Sequence, residues 1–126
     1  MASNPKILVI DDQNVNLILI EKALRSGEYQ NIVTTSSPED GLDRILNDKP
    51  DLVLLDLIMP RLNGIEILEH LKSLSQNMPP ILIVTSENSE NMQQKALEAG
   101  ARQVIKKPFQ RAELLDSVRQ WLAFAY

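Results

Sequence analysis

Leu52-Val53-Leu54-Leu55-Asp56 decides the fold. Four consecutive apolar residues stop abruptly at a carboxylate. A strand with one wet face alternates apolar and polar side chains, whereas a strand covered on both faces reads as a continuous apolar run. The same form recurs on either side of this stretch. Ile7-Leu8-Val9-Ile10 runs into Asp11-Asp12, and Ile81-Leu82-Ile83-Val84 runs into Thr85-Ser86. A weaker Val104-Ile105 runs into Lys106-Lys107-Pro108. A fifth candidate, Asn31 to Thr35, has only Ile32 and Val33 as apolar residues and reads as an edge strand.

Helical patterns fill the intervals. Val15, Ile18, Leu19 and Ala23 lie at helical spacing. Ser37-Pro38-Glu39-Asp40 opens a second helix, with Pro38 suited to its first turn and Leu42, Ile45 and Leu46 following. Asn63-Gly64 precedes Ile65, Leu68, Leu71 and Leu74. A fourth helix runs from about Ser89 to Ala99 and stops at Gly100. The fifth begins near Gln110 and carries Leu114, Leu115, Val118 and Leu122. The order is (βα) five times, with no linker, repeat or low-complexity stretch. Alternating elements imply an α/β fold with a parallel sheet and helices on both faces. For five strands the flavodoxin-like, doubly wound order 2-1-3-4-5 is adopted from the known class rather than derived. The expectation is one domain over residues 1–126, with its core at about 6–122 and no second domain.

The bulk numbers agree with that reading and exclude several functions. The chain has 126 residues, enough for one core. Hydrophobic residues make up 44% and charged residues 24%, as in an ordinary globular domain. The net charge of −4 argues against direct nucleic-acid binding, which needs a basic face. Without cysteine there is no disulfide, thiolate catalysis or cysteine-ligated zinc. The first six residues lack the basic start and apolar core of a signal peptide, and no apolar run is long enough to span a bilayer. The expectation is a cytoplasmic protein without a membrane partner.

The chemistry is carried by the residues just past the end of each strand. In the order 2-1-3-4-5, strands 1, 3, 4 and 5 are consecutive neighbours about 4.8 Å apart. Asp11 and Asp12, Asp56, Thr85 and Lys107 therefore converge on one rim of the sheet. Carboxylates at about 5 Å repel by about 3 kcal/mol per pair at an effective dielectric near 20. A hard divalent cation offsets this, and oxygen-only ligands suit Mg²⁺. Each acid taken alone has a plainer use as a strand or helix cap, and Asp11 and Asp12 could simply open the helix after them. Four positions meeting at one edge are poorly explained that way. The only histidine, His70, lies mid-helix and offers no triad; there is also no Gly-rich phosphate loop. A metal template, a carboxylate, a hydroxyl and an ammonium group suit phosphoryl transfer onto a carboxylate, giving an acyl phosphate.

These motifs resemble the receiver domain of response regulators in two-component signalling, the family of the chemotaxis response regulator. The resemblance runs from Lys6 to about Leu122. It is carried by Val9-Ile10-Asp11-Asp12, Leu55-Asp56-Leu57-Ile58-Met59-Pro60 with Gly64, Val84-Thr85-Ser86 and Lys107-Pro108-Phe109. The resemblance implies a Mg²⁺-dependent switch, with Mn²⁺ as the alternative ion. Asp56 is the implied phosphoacceptor. Asp12 is the implied direct metal ligand, Asp11 its partner acting largely through water, and Ile58 a ligand through its backbone carbonyl. Thr85 is implied to bond the phosphoryl oxygen, small Ser86 to leave Asp56 accessible, and Lys107 to pair with the phosphoryl group. The implied Lys107–Pro108 bond is cis.

The implied partners are a histidine kinase or histidine phosphotransfer protein, a downstream effector or output domain, and in some states a phosphorylation-dependent homodimer. The implied change in binding lies on the face of the last helices and strand. The domain would catalyse its own phosphorylation and dephosphorylation without turning over an external substrate.

Two positions depart from the family pattern. Val104 stands where an aromatic ring commonly sits, so the signal is expected to pass through the Thr85–Ser89 loop and the helix after it. Ile58 cannot orient a hydrolytic water, although Glu87 at the other flank could, and the phosphoryl group is expected to be long-lived. The alternatives are an aspartyl-phosphate hydrolase, which would want a second Asp at position 58; a phosphorylation-independent adaptor, which would not need the intact polar set; and a flavodoxin-like nucleotide binder, disfavoured by the acidic loop after strand 1. His70 reads as a solvated helix residue, and Met59 and Met92 as packing. Asp48, Asp51, Glu66 and Glu69 read as surface charges. Trp121, Phe124 and Tyr126 read either as packing with a frayed end or as a partner surface.

Overall fold

A computed structural model describes residues 4–74 and 77–124. The strands are β1 (Ile7–Ile10), β2 (Ile32–Thr35), β3 (Leu52–Leu55), β4 (Ile81–Thr85) and β5 (Gln103–Lys106). Between and after them run α1 (Asn14–Ser26), α2 (Pro38–Asp48), α3 (Gly64–Ser73), α4 (Glu90–Glu98) and α5 (Arg111–Phe124). All strand pairs are parallel, in the order β2-β1-β3-β4-β5.

The alternation of side chains across each strand divides the core in two. Leu8, Ile10, Val53, Leu55, Ile81 and Ile83 pack with residues of α2, α3 and α4. Ile7, Val9, Leu52, Leu54, Leu82, Val84 and Ile105 pack with α1 and α5. This two-sided burial is why the strands read as unbroken apolar runs. The edge strand β2 is only half-buried.

Local signals set the helix starts. Ser37 Oγ accepts from Asp40 N–H at 3.1 Å, and Pro38 follows it. Asn63 and Glu66 close a reciprocal capping box, with bonds of 2.9 and 3.0 Å. Ser89 Oγ accepts from Met92 N–H at 3.2 Å. Gly100, at φ +119°, turns the chain out of α4 into β5. Glu66 is thus a cap, and Asp51 accepts from Lys6 N–H at 2.8 Å, so neither is a bare surface charge.

The residues that mark α1 as a helix are mostly not its buried face. Val15, Ile18 and Leu19 are 61%, 66% and 54% exposed, while Leu17, Ile20, Ala23 and Leu24 form the buried face. The helix is apolar around most of its N-terminal circumference, so spacing alone does not select the buried stripe. At the other end, Trp121 is half-buried against the α1–α5 layer. Its Nε1–H donates to Gln103 Oε1 at 2.9 Å, with the Arg102 guanidinium 5.8 Å over the ring. Leu122 is buried. The readings of the Phe124 side chain and of Tyr126 fall outside the described residues.

Candidate functional site

The parallel ladder extends one step past the strands, and this step builds the rim. Asp11 N–H donates to Thr35 O at 3.2 Å, Asp56 N–H to Ile10 O at 3.0 Å, and Lys107 N–H to Thr85 O at 2.8 Å. The backbones of Asp11, Asp56 and Lys107 are therefore held in sheet register although they lie outside the strands. Asp11, Asp56 and Lys107 follow the parity of Val9, Leu54 and Ile105, and their side chains meet. Lys107 Nζ lies 2.6 Å from Asp11 Oδ2 and 3.4 Å from Asp56 Oδ2.

Asp11 is the buried centre of the cluster, at 1% exposure. Besides Lys107 it accepts from Gln13 N–H at 2.9 Å and from the Asn16 amide at 3.4 Å. Asp12 is half-exposed. Oxygens of Asp11, Asp12 and Asp56 come within 4.8 Å of one another. Burial pushes the Asp56 carboxyl above its ordinary value, and the Asp11 charge adds to this. Lys107, the Thr85 hydroxyl and the Ile58 N–H, 3.4 Å from Asp56 Oδ1, pull it back. The set is thus oxygen-only and short of positive charge, and it fits a hard divalent cation.

Every residue expected at the site except Glu87 is drawn to it. Asp12, Asp56, Ile58, Ser86 and Lys107 line one pocket of about 350 Å³. Thr85 is fully buried at the end of β4, its hydroxyl turned toward the Asp56 carboxylate and accepting from Glu87 N–H at 3.2 Å. Ser86 is exposed at the mouth of the pocket. The Lys107–Pro108 bond is cis. Glu87 does not face the pocket: its carboxylate accepts from Ser89 N–H at 2.9 Å and shapes the start of α4. His70 is exposed on α3, as expected.

Two residues that act on the site, Gln13 and Asn16, were not singled out in the sequence. They fix Asp11 through bonds two and five residues along the chain, a local turn that an Asp followed by polar residues could have suggested. Gly64, in the Asp56 motif, is required sterically. A Cβ there would sit 2.5 Å from Asp56 O and 3.0 Å from Leu57 Cα, so only glycine lets α3 start against the Asp56 backbone.

Residues 7–119 match the family model of the response regulator receiver domain. The chain belongs to this family. Its members are phosphorylation-activated switches of two-component signalling rather than enzymes that turn over a separate substrate. The receiver is 35% identical to sporulation initiation phosphotransferase F of Bacillus subtilis, over 94% of each chain. It spans about half the length of other curated relatives that it matches. Among solved structures, a CheY-like receiver from Methanospirillum hungatei superposes with a TM-score of 0.87 at 28% identity, over 98% of this chain and 97% of that one. The receiver domain of the sensor histidine kinase PA1611 from Pseudomonas aeruginosa superposes with a TM-score of 0.84 at 26% identity, over 96% and 99%. That structure holds a magnesium ion coordinated in its active-site cleft. Receiver domains bind Mg²⁺ in this acidic pocket. Among the described residues, no helix is long and apolar enough to cross a membrane.

Proposed function

We propose that Asp56 accepts a phosphoryl group from a phosphohistidine, with Asp11, Asp12, Asp56 and the Ile58 backbone carbonyl holding Mg²⁺, or Mn²⁺ in its place. The observation that carries this reading is the pocket shared by Asp12, Asp56 and Lys107, in which Lys107 reaches Asp11 at 2.6 Å and Asp56 at 3.4 Å. A bound cation would supply charge neutralisation for the incoming phosphoryl group. Asp56 is the nucleophile. Its attack forms an O–P bond as the N–P bond of the donor breaks and the imidazole leaves. Lys107 then shares its ammonium group between Asp11 and the new phosphoryl oxygens, and Thr85 donates a hydrogen bond to one of them. A hydrolase is disfavoured, because Ile58 occupies the place of the acid–base group.

The donor is a histidine kinase or histidine phosphotransfer protein that presents its histidine from a helix. Val15, Ile18 and Leu19 lie at i, i+3 and i+4 on the exposed side of α1, a spacing that matches another helix face. The stripe is continuous with the site, since Asn16 and Lys107 line both the phosphoacceptor pocket and the neighbouring groove with Leu19. Phosphorylation then changes binding of an effector, output domain or second copy on the α4–β5–α5 side, by shifting an existing equilibrium. This role is a cytoplasmic one.

Incubation with Mg²⁺ and acetyl phosphate, or with beryllium fluoride, tests the reading. Wild type gains one phosphoryl mass and changes its partner binding; Asp56→Asn does neither. Equal labelling of both proteins would place the acceptor elsewhere.

A further inference from the structure

We propose that the cleft between α1 and the β5–α5 turn binds an amphipathic carboxylate of the medium-chain fatty acid class, and that the bound molecule keeps the phosphohistidine donor out. The binding stands on the cleft alone. The competition rests on the donor docking proposed above.

The cleft has two walls of different origin. One is a strip of α1, where Asn16, Leu19, Ala23 and Ser26 lie at i, i+3, i+7 and i+10, with Lys22 beside Ala23. The other is the turn from β5 into α5, where Pro108 and Phe109 stand next to Arg111. The space between them is about 640 Å³, an ordinary size for a small-molecule site. Val15 and Ile18 of the exposed stripe are not among its lining residues, so the cleft is a slot distinct from the stripe.

Most polar groups in the slot are already committed. The Asn16 amide donates to Asp11 at 3.4 Å, and Ser26 Oγ donates to Ala23 O at 2.6 Å. Lys107 Nζ is held by Asp11 and Asp56. What remains for a ligand is largely apolar: Leu19, Ala23, Pro108 and the half-buried Phe109. Water gains few hydrogen bonds from such walls, and an apolar chain displaces it favourably.

The charge of the slot has one sign. Lys22 and Arg111 stand on opposite walls, both exposed, and neither has an ion pair or a side-chain hydrogen bond among the described residues. Lys107 adds a third cation, and no Asp or Glu lines the slot, although the chain as a whole carries −4. A cationic ligand is repelled here. Inorganic phosphate meets the charges and leaves the apolar walls unused. A nucleotide brings a base and sugar that need polar partners, and the slot has only Ser86 to spare. A single carboxylate on an apolar chain satisfies both features. Arg111 can take it bidentately and Lys22 as a point charge, on stems long enough to reach over the slot.

The position of the slot makes binding consequential. Leu19 belongs to the slot and to the stripe offered to the donor helix. Asn16, Ser86 and Lys107 belong to the slot and to the phosphoacceptor pocket. A chain lying in the slot covers ground that a donor protein must occupy. Acetyl phosphate needs no docking surface and reaches Asp56 through the pocket, which neither Leu19 nor Phe109 lines.

Octanoate, below its micelle-forming concentration, is the probe, titrated into the isotope-labelled receiver and followed by amide shifts. The shifts should saturate and cluster at residues 16–26 and 107–111. Acetate, which lacks the chain, and octylamine, which carries the opposite charge, should each bind about tenfold more weakly or worse. Lys22→Gln combined with Arg111→Gln should weaken octanoate about tenfold, with melting and acetyl phosphate labelling unchanged. Octanoate at about ten times its Kd should lower labelling from a histidine kinase domain about tenfold, by competitive mass action, and leave acetyl phosphate labelling as it was. No saturable shift, equal binding of octylamine, or a double variant that binds octanoate as wild type does would overturn the assignment. If octanoate does not bind while the double variant loses kinase labelling, the two cations read an acidic partner instead, and the inference falls. Saturable binding with undiminished kinase labelling would overturn the competition. Absence of kinase labelling even without octanoate would count against the donor reading alone, since the binding result does not depend on it.

Discussion

Lys107→Gln should destabilise the metal-free receiver strongly and the Mg²⁺-bound receiver much less. The Lys107 side chain is 13% exposed, Asp11 1% and Asp56 8%, so these charges meet largely out of water. At 2.6 Å and 3.4 Å the gross attractions are about 6 and 5 kcal/mol with an effective dielectric near 20. Most of that offsets the desolvation of three charges. Removing one partner from a buried pair nevertheless costs about 3 kcal/mol or more, because the other charge stays behind unpaired. For a chain of this size that is a fall in Tm of about 10 °C. Mg²⁺ at a hundred times the wild-type Kd adds about 2.7 kcal/mol to the wild type, and at the same concentration it adds more to a variant that binds it more tightly. It binds the variant more tightly, since two uncompensated carboxylates attract it. Thermal unfolding in EDTA and in Mg²⁺ checks this. The gap between the two proteins should shrink by at least half on adding Mg²⁺. An unchanged gap, or no gap in EDTA, would refute the view that Lys107 and the cation neutralise one shared cluster.

Ile18→Asp on α1 should lower labelling from an autophosphorylated histidine kinase domain by about tenfold, a typical interface anchor effect. Labelling from acetyl phosphate and thermal stability should stay as in wild type, which parallel kinetic and melting runs would check. Gly64→Ala should cost about 2 kcal/mol, since the added Cβ meets backbone rather than a movable side chain. The same substitution should slow phosphorylation by displacing the Asp56 peptide, as read by melting and acetyl phosphate kinetics. Mg²⁺ affinity should fall with acidification at pH values above the ordinary Asp value of 3.8, because the folded Asp56 carboxyl is raised and takes a proton early. The sign for stability is opposite to that of an ion-paired acid. Between 3.8 and the raised value the folded chain holds a proton that the unfolded chain has lost, so metal-free stability increases as pH falls through that window. Metal titration and melting of wild type and Asp56→Asn across that range test both slopes.

The strands were legible because burial on both faces leaves no alternation to interpret, and each run ends at a charged or hydroxyl residue. Their spatial order was not legible in the same sense: nothing in Ile7–Ile10 or Leu52–Leu55 states that β1 lies between β2 and β3. That order came from membership of a known class. The site followed from it, since four polar strand ends become neighbours only when β1, β3, β4 and β5 are adjacent. The distribution of charge within the site was less accessible. Asp11 is 1% exposed and held by Lys107, Gln13 and Asn16, and Asp12 stays half-exposed.

The apolar pattern of α1 has a functional consequence. Val15, Leu17, Ile18, Leu19 and Ile20 leave apolar residues on both sides of the same two turns. An ordinary amphipathic helix keeps one side polar, and the second apolar side must be justified by something outside the fold. Here Leu17, Ile20, Ala23 and Leu24 are enough to seat α1 on the sheet. Val15, Ile18 and Leu19 add exposed apolar surface that the folded chain does not use. Leu19 lines the groove beside Asp56, and Val15 and Ile18 lie at i−4 and i−1 from it on the same helix. The apolar residues beyond the core face are thus the ones proposed as a docking stripe. A helix that must bury one face in its own core and offer another to a partner helix cannot show a single clean stripe.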